Sequence, residues 1–423
     1  MRRSAFSLLM TALTALIAVP VAAQEDRGTC KMQLDSARIG RHLDLGMGRV
    51  HQFGAGGVFA RCIGEATTLQ SDSVAWYSEL DRLDFLGSFH FRDSAMSLDA
   101  DRARYTPGLE RLEAWGNVRL VNKKSGSVLT GPNLTYYREI PGERTVTELY
   151  ASGRPLVEYR AVEDPESEPY LIRGDRVHLR GESQAWAGGA VTIDRSDFAA
   201  KGDSAILNTA DGEGFLIGHA EAAGTDSAGY TMEGRRIAFR LTDDELSWVQ
   251  AQEDGRATSG EWRIVGDTIE FNVANDVIQT ASVWGDSTRA HAESEKHSME
   301  ADSLWIDTPD QKLRELLGFG AAHATARADS LVTEPDWMAG DTVVAQFDTT
   351  GTGKRVLVLL EARGHAQAFY YIYEDLNRLG PPAINYSRGE RITARFKDEE
   401  LDRVDIIDAG DGVYLEPAGR RQP

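Results

Sequence analysis

The chain has 423 residues, and 46 Lys and Arg against 66 Asp and Glu give it a formal net charge of -20 at pH 7. That balance disfavours nucleic acid, whose binding rests on clustered cations, but leaves open an amphiphile held by its apolar tails. With 41% hydrophobic residues and aromatics spread along its length, the composition is that of a folded chain, either several domains or one repeat array. Residues 1–23 place Arg2 and Arg3 before an apolar stretch ending in Val21-Ala22-Ala23, the pattern of a cleaved signal peptide with Gln24 first in the mature chain. Residues 24–65 read as an N-terminal cap or the first strands. They hold Cys30 and Cys62, the only two cysteines, which an exported compartment allows to pair as a disulfide; two buried free thiols are the alternative.

From about residue 66 the sequence repeats. SDSVAWY begins at 71, ADRARY at 100, GPNLTYY at 131, GDRVHL at 174, GDSAIL at 202, GRRIAF at 234, GDTIEF at 266, ADSLWI at 301, GDTVVAQF at 340 and GERITARF at 389. Each is a small residue, usually Asp, a polar residue, then alternating apolar positions. The copies recur at about 35 residues, a spacing that indicates a solenoid or array. Ser204 of Gly-Asp-Ser is therefore one of ten equivalent positions that also hold Arg, Asn and Thr, which argues against a nucleophilic serine. Gly202 and Asp203 are read as the turn that opens a strand.

A second apolar run follows in each unit and ends near a Gly, as in LDFLGSFHF, LEAWGNVRLV and FLIGHAEA. The internal period is two, as in strands with one buried face. DQKLRELLGF at 310–319 looks locally helical, but its place in the repeat makes it a strand. Turns are expected at Asp81-Arg82, Thr106-Pro107-Gly108, Asp211-Gly212 and Thr308-Pro309-Asp310. The longer connection at 160–169 is the one place where the array at 66–417 could subdivide, and 418–423 is a tail. The expected fold is all-β, with about twenty antiparallel strands, ten to a sheet and a body of about 50 Å at ~4.8 Å per strand.

Ten copies of a Gly-Asp-x-apolar strand followed by a Gly-Asn-Val-like strand resemble the OstA-like superfamily, that of lipopolysaccharide-transport protein A (LptA). The fullest copy is LDADRARYTPGLERLEAWGNVRLV, 98–121, where Asp101, Ala103, Tyr105, Gly116, Asn117 and Val118 match the family pattern. The resemblance covers roughly 66–417. It implies an elongated periplasmic β-jellyroll, or β-taco, of two facing V-shaped sheets that shelter lipopolysaccharide acyl chains and help bridge inner and outer membranes. Its implied partners are lipopolysaccharide or a related lipid, other lipopolysaccharide-transport components at the two membranes, and a second copy joined head to tail. It implies neither an enzyme nor a cofactor.

Within that frame, early copies fill the positions after the Gly with Phe89, Phe91, Val118, Leu120, Val157, Tyr159, Val191 and Ile193, whereas later copies use Ala. A roomier groove is therefore expected along Ala205, Leu207, Ala220, Ala222, Ile237, Phe239, Ile269, Phe271, Ala290, Ala292, Leu304, Ile306, Ala322, Ala324, Val343, Ala366 and Ala368. The alternative is a structural or protein-interaction solenoid in which bulky residues such as Phe239, Phe271 and Trp305 fill the space opposite the alanines. His219, His323 and His365 recur near the Gly of their units, but their alternation places them on a wet face and argues against a metal ladder. Asp99, Asp101, Asp302 and Asp341 are expected to bind turn amides at strand starts.

Overall fold

In the computed structural model the chain is described over residues 32–416, apart from 161–165, 167, 182, 197, 209, 225–228, 243–244, 275–276, 310–311, 327–333, 350–354, 374–381, 398–399 and 409. The signal-peptide reading, Cys30, Asp310 and the 418–423 tail lie outside these residues. Among them there is no α-helix, only two short 3₁₀ turns, Ser78–Leu80 and Pro107–Leu109.

The strands in order are β1 (Met32–Gly46), β2 (Arg49–Cys62), β3 (Thr68–Tyr77), β4 (Arg82–Arg92), β5 (Met96–Thr106), β6 (Arg111–Asn122), β7 (Val128–Tyr137), β8 (Glu148–Ser152) and β9 (Leu156–Tyr159). They continue as β10 (Tyr170–Arg173), β11 (Arg176–Arg180), β12 (Gln184–Asp194), β13 (Phe198–Asn208), β14 (Glu213–Gly224), β15 (Tyr230–Thr242), β16 (Glu245–Ser259), β17 (Trp262–Ala274) and β18 (Val277–Trp284). The last are β19 (Ala290–Glu293), β20 (His297–Ala301), β21 (Ser303–Asp307), β22 (Glu315–Ala326), β23 (Asp336–Thr349), β24 (Arg355–Ile372), β25 (Ala383–Lys397), β26 (Glu400–Ile407) and β27 (Asp411–Leu415). Asp81-Arg82, Thr106-Pro107-Gly108 and Asp211-Gly212 do reverse the chain between strands, and 315–319 of the helix-like stretch is strand.

Every described pairing is antiparallel, and most join strands that follow each other along the chain. Most strands are bent at mid-length, where the register jumps: β4 pairs with β5 over Leu83–Leu86 and again over Phe89–Arg92. Five rungs are written as two segments either side of the bend: β8 with β9, β10 with β11, β18 with β19, β20 with β21, and β26 with β27. The result is one ladder of 22 rungs folded along its length into two walls. Wall A holds the residues on one side of the bend, such as Leu83 and Phe85, and wall B those on the other, such as Phe89 and Phe91. Pairing closes the sheet on itself, as in a small barrel, in two places: through β7, β8, β11, β12, β10 and β9, and through β17, β18, β21, β22, β20 and β19. Each ring spans the fold line where a rung is split. At the ends, the described pairings join β1 to β2 only, and β26 and β27 to β25 only.

Two expectations change. All rungs stack in both walls instead of being shared ten to a sheet, so at ~4.8 Å per rung the ladder runs to about 100 Å, twice the expected 50 Å. The ladder also continues through the 160–169 connection, since β9 pairs with β10 from Tyr159↔Tyr170 to Leu156↔Arg173. At the N-terminal end, β1 and β2 extend the same ladder onto β3.

The bend explains the repeat. After the apolar run of wall A comes Gly-x with both residues left-handed: Gly116 φ +74° and Asn117 +46°, Gly218 +75° and His219 +46°, Gly364 +71° and His365 +48°. Two successive left-handed residues turn the strand sharply, and the first of them is glycine at these bends except at Glu253, because a side chain there is disfavoured. The marker Asp of the preceding strand packs beneath that glycine. A Cβ on Gly218 would lie 2.3 Å from Asp203 Oδ2, and the same geometry recurs for Gly87 over Asp72, Gly116 over Asp101, Gly320 over Asp302 and Gly364 over Asp341. The carboxylate then accepts hydrogen bonds from the next residue: from Asn117 Nδ2 to Asp101 at 3.0 Å, from His219 Nδ1 to Asp203 at 3.0 Å and from His365 Nδ1 to Asp341 at 3.1 Å.

Gly202 and Asp203 therefore sit inside β13 at the fold line and do not make a turn. The other carboxylates likewise differ from the expected turn ligands: Asp99 meets His90 and Arg92, each at 2.6 Å, and Asp302 meets Arg289 at 3.4 Å. Among the described residues Asp267, a marker Asp not among the four expected to do so, does bond amides, accepting from Ser287 N at 2.7 Å and Thr288 N at 3.1 Å. Those donors, with the Ser287 hydroxyl, lower its pKa to about 2.

Candidate functional site

The inner faces of the two walls form one continuous apolar core. Through the middle of the ladder, wall B presents Ala220, Ala222, Ala257, Ala290, Ala292, Ala301 and Ala322 to the larger residues of wall A, among them Leu216, Ile237, Val249, Ile269, Phe271, Val283 and Leu304. All of these are buried. Small faces large, so the walls interlock. Aromatic side chains also span the gap: the Tyr230 ring of wall B meets Phe271 of wall A edge-on, with centroids 6.0 Å apart. In wall A, Gly214 leaves room for the Phe239 ring, which would come within 2.1 Å of a Cβ there.

The free margins of the walls, away from the fold line, are fastened at the N-terminal end. Glu110, only 4% exposed, accepts a hydrogen bond from the Tyr105 hydroxyl at 2.8 Å and faces Arg138 at 3.5 Å. Arg138 also reaches Glu65, 2.8 Å away in the β2–β3 turn, and so ties the margin of wall A to that of wall B. Burial, and then the Glu110 carboxylate, push the Tyr105 phenol pKa upward, so it remains a donor. Beside them Cys62 is buried and disulfide-bonded. Its expected partner, Cys30, lies outside the described residues.

At the C-terminal end the walls part. A cleft of about 730 Å³, counting space open to solvent, lies between wall B of β20–β24 and wall A of β22–β26. Its wall-A side carries Leu316, Ala345, Phe347, Leu357, Leu360, Ala394, Phe396, Leu401 and Val404; its wall-B side carries Met299, Ala324, Met338, Ala368 and Tyr370. Phe347, Trp262 and His297 also line the cleft, and the Phe347 ring meets Trp262 and His297 of wall B edge-on at 6.1 and 6.0 Å. The nearby polar groups are engaged: the Ser298 and Thr325 hydroxyls bond each other at 2.6 Å, and Asp336 accepts from the Tyr371 amide at 3.0 Å.

Of the residues expected to line a groove, all lie on the inner faces, but only Ala324 and Ala368 border the cleft. Leu207 and Phe239 are half-buried, and Ala205, Ala220, Ala222, Ile237, Ile269, Phe271, Ala290, Ala292, Leu304, Ile306, Ala322, Val343 and Ala366 are buried in the packed interior. Trp305, expected to fill space opposite the alanines, instead projects outward in register with Ser282 and Leu317. The sequence reading missed the wall-A side of the cleft. Its signal was the unusually apolar RVLVLLEA at 355–362, together with Ala345 and Ala394 at inner positions that are mostly larger elsewhere.

The recurring histidines do not converge. His219 and His365 fasten separate corners, and His323 is half-buried against Trp337, which lowers its pKa by desolvation. His219 is bonded to Asp203, the neighbour of Ser204 in the chain. The same place at another corner holds Asn117 on Asp101, so the pair fastens the bend. No protein-family model and no curated protein matches the chain.

Proposed function

We propose that the chain is a periplasmic lipid-binding transport protein of the OstA-like kind, its folded ladder a β-jellyroll that holds acyl chains out of water. The observation that carries this reading is the parting of two apolar walls into one apolar cleft at the C-terminal end, where a tail would exchange contact with water for contact with Leu360, Met338 and Phe396. Lipopolysaccharide or a related lipid is the cargo that the resemblance to the OstA-like superfamily implies. Other lipopolysaccharide-transport components would dock at the ends of the ladder, where β1 and β27 offer strand edges for augmentation.

A structural solenoid is the second reading, favoured by the packed middle and the fastened N-terminal margin. Recovery of the protein from its native envelope and mass spectrometry of bound material separates the two. A copurifying lipid that is lost from Ala368→Phe, with thermal unfolding unchanged, supports transport. Lipid-free protein, or lipid retained equally by Ala368→Phe, supports the solenoid.

A further inference from the structure

We infer that the cleft is blind, with a single entrance at the C-terminal end, and that it takes one acyl chain whose depth of insertion is limited by Phe347. The inference rests on the lipid-binding reading but departs from a conduit running the length of the molecule.

Three barriers lie between the cleft and the N-terminal end. Phe347 meets Trp262 and His297 across the gap. Beyond it Tyr230 meets Phe271, and the inner positions there, Met232, Ile264, Ile269 and Ala290 among them, are 0 to 4% exposed. Farther on, the Arg138 bridge to Glu65 closes the margins. A tail that entered beside Val404 would run past Leu360 toward Met299 and stop against the Phe347 ring. The cleft's volume of about 730 Å³ counts space open to solvent, so it is an upper bound on the room for a tail. Within that bound a single tail is the most that the cleft shelters, and a lipid with many tails has no room to place them all inside.

The size limit gives a graded signature. Each methylene that becomes buried improves affinity about fourfold, and each one left outside adds little. Displacement of a fluorescent fatty acid from the full chain by a saturated fatty-acid series of increasing length, and by a matching lysophospholipid series, should show affinity rising and then levelling at one chain length. Phe347→Ala should move the plateau to longer chains. Ala324→Leu, which fills the cleft from the other wall, should move it to shorter ones and provides the test should Phe347→Ala fail to fold. A plateau shared by both series assigns the limit to the tail; one seen with fatty acid alone places the headgroup inside and overturns the inference. Affinity that climbs without levelling, or a plateau unmoved by either variant, overturns it while leaving lipid binding intact. No displacement by any acyl probe overturns both.

Discussion

The marker Asp and the bend Gly are one device seen from two strands. The glycine has a positive φ, and its Cα surface is covered by the carboxylate, so a side chain there meets two separate penalties. Gly218→Ala should lose about 2–3 kcal/mol: roughly 1 for an alanine held left-handed and the remainder from the approach to Asp203. In an Asp203→Ala background the approach to the carboxylate is gone and the approach to Cβ at 2.9 Å is left, so the two changes should couple favourably by about 1 kcal/mol in urea unfolding. Additive losses would mean that the carboxylate does not pack on the glycine. The sequence shows both residues, yet Gly-Asp reads as a turn because those residue types favour turns. Only the register across the ladder places them at mid-strand. The copy EDGRATSG departs from the Gly-x pattern: Glu253 and Asp254 occupy the left-handed positions at φ +59° and +64° without a glycine.

At the scale of the elements, alternation identifies which residues of a strand face inward but not what they meet. That depends on how the walls are folded together. The alanines after each bend were legible, and so was their contrast with the early copies; their fit against Leu216, Ile269 and Phe271 required the fold line. The N-terminal fastening was less legible still, since Glu65, Glu110 and Arg138 stand in three separate turns and strand ends. Its energetics are asymmetric. Arg138→Ala leaves Glu110 buried with its guanidinium partner gone, which should cost about 2–4 kcal/mol, and Glu110→Gln in that background should restore part of the loss. Glu65→Ala, which removes an exposed partner, should cost under about 1 kcal/mol. Denaturant unfolding of the three variants checks the order; equal losses would place the strength of the fastening at the exposed bridge.

For the whole molecule, the consequence of folding one long ladder is that, among the described residues, an open strand edge for association lies at each end. Both end strands are exposed on apolar positions: Ile39 at 65% and Leu43 at 48% in β1, Val413 at 54% and Leu415 at 55% in β27. Edges of this kind join other edges unless charge or a cap prevents it. Head-to-tail association is proposed to use them, and it should appear as a rise in apparent mass with concentration in size-exclusion chromatography. Val413→Lys with Leu415→Lys should return the protein to monomer, since like charges would crowd the new interface while the walls and the cleft are untouched. Ile39→Lys at the other end should do the same. Mixing the two singly blocked proteins discriminates the geometry: a head-to-tail contact lets the open β27 of one join the open β1 of the other and gives dimers that grow no further. A tail-to-tail contact would leave the Val413/Leu415 variant monomeric and the Ile39 variant dimeric on its own, which would overturn the end-to-end arrangement.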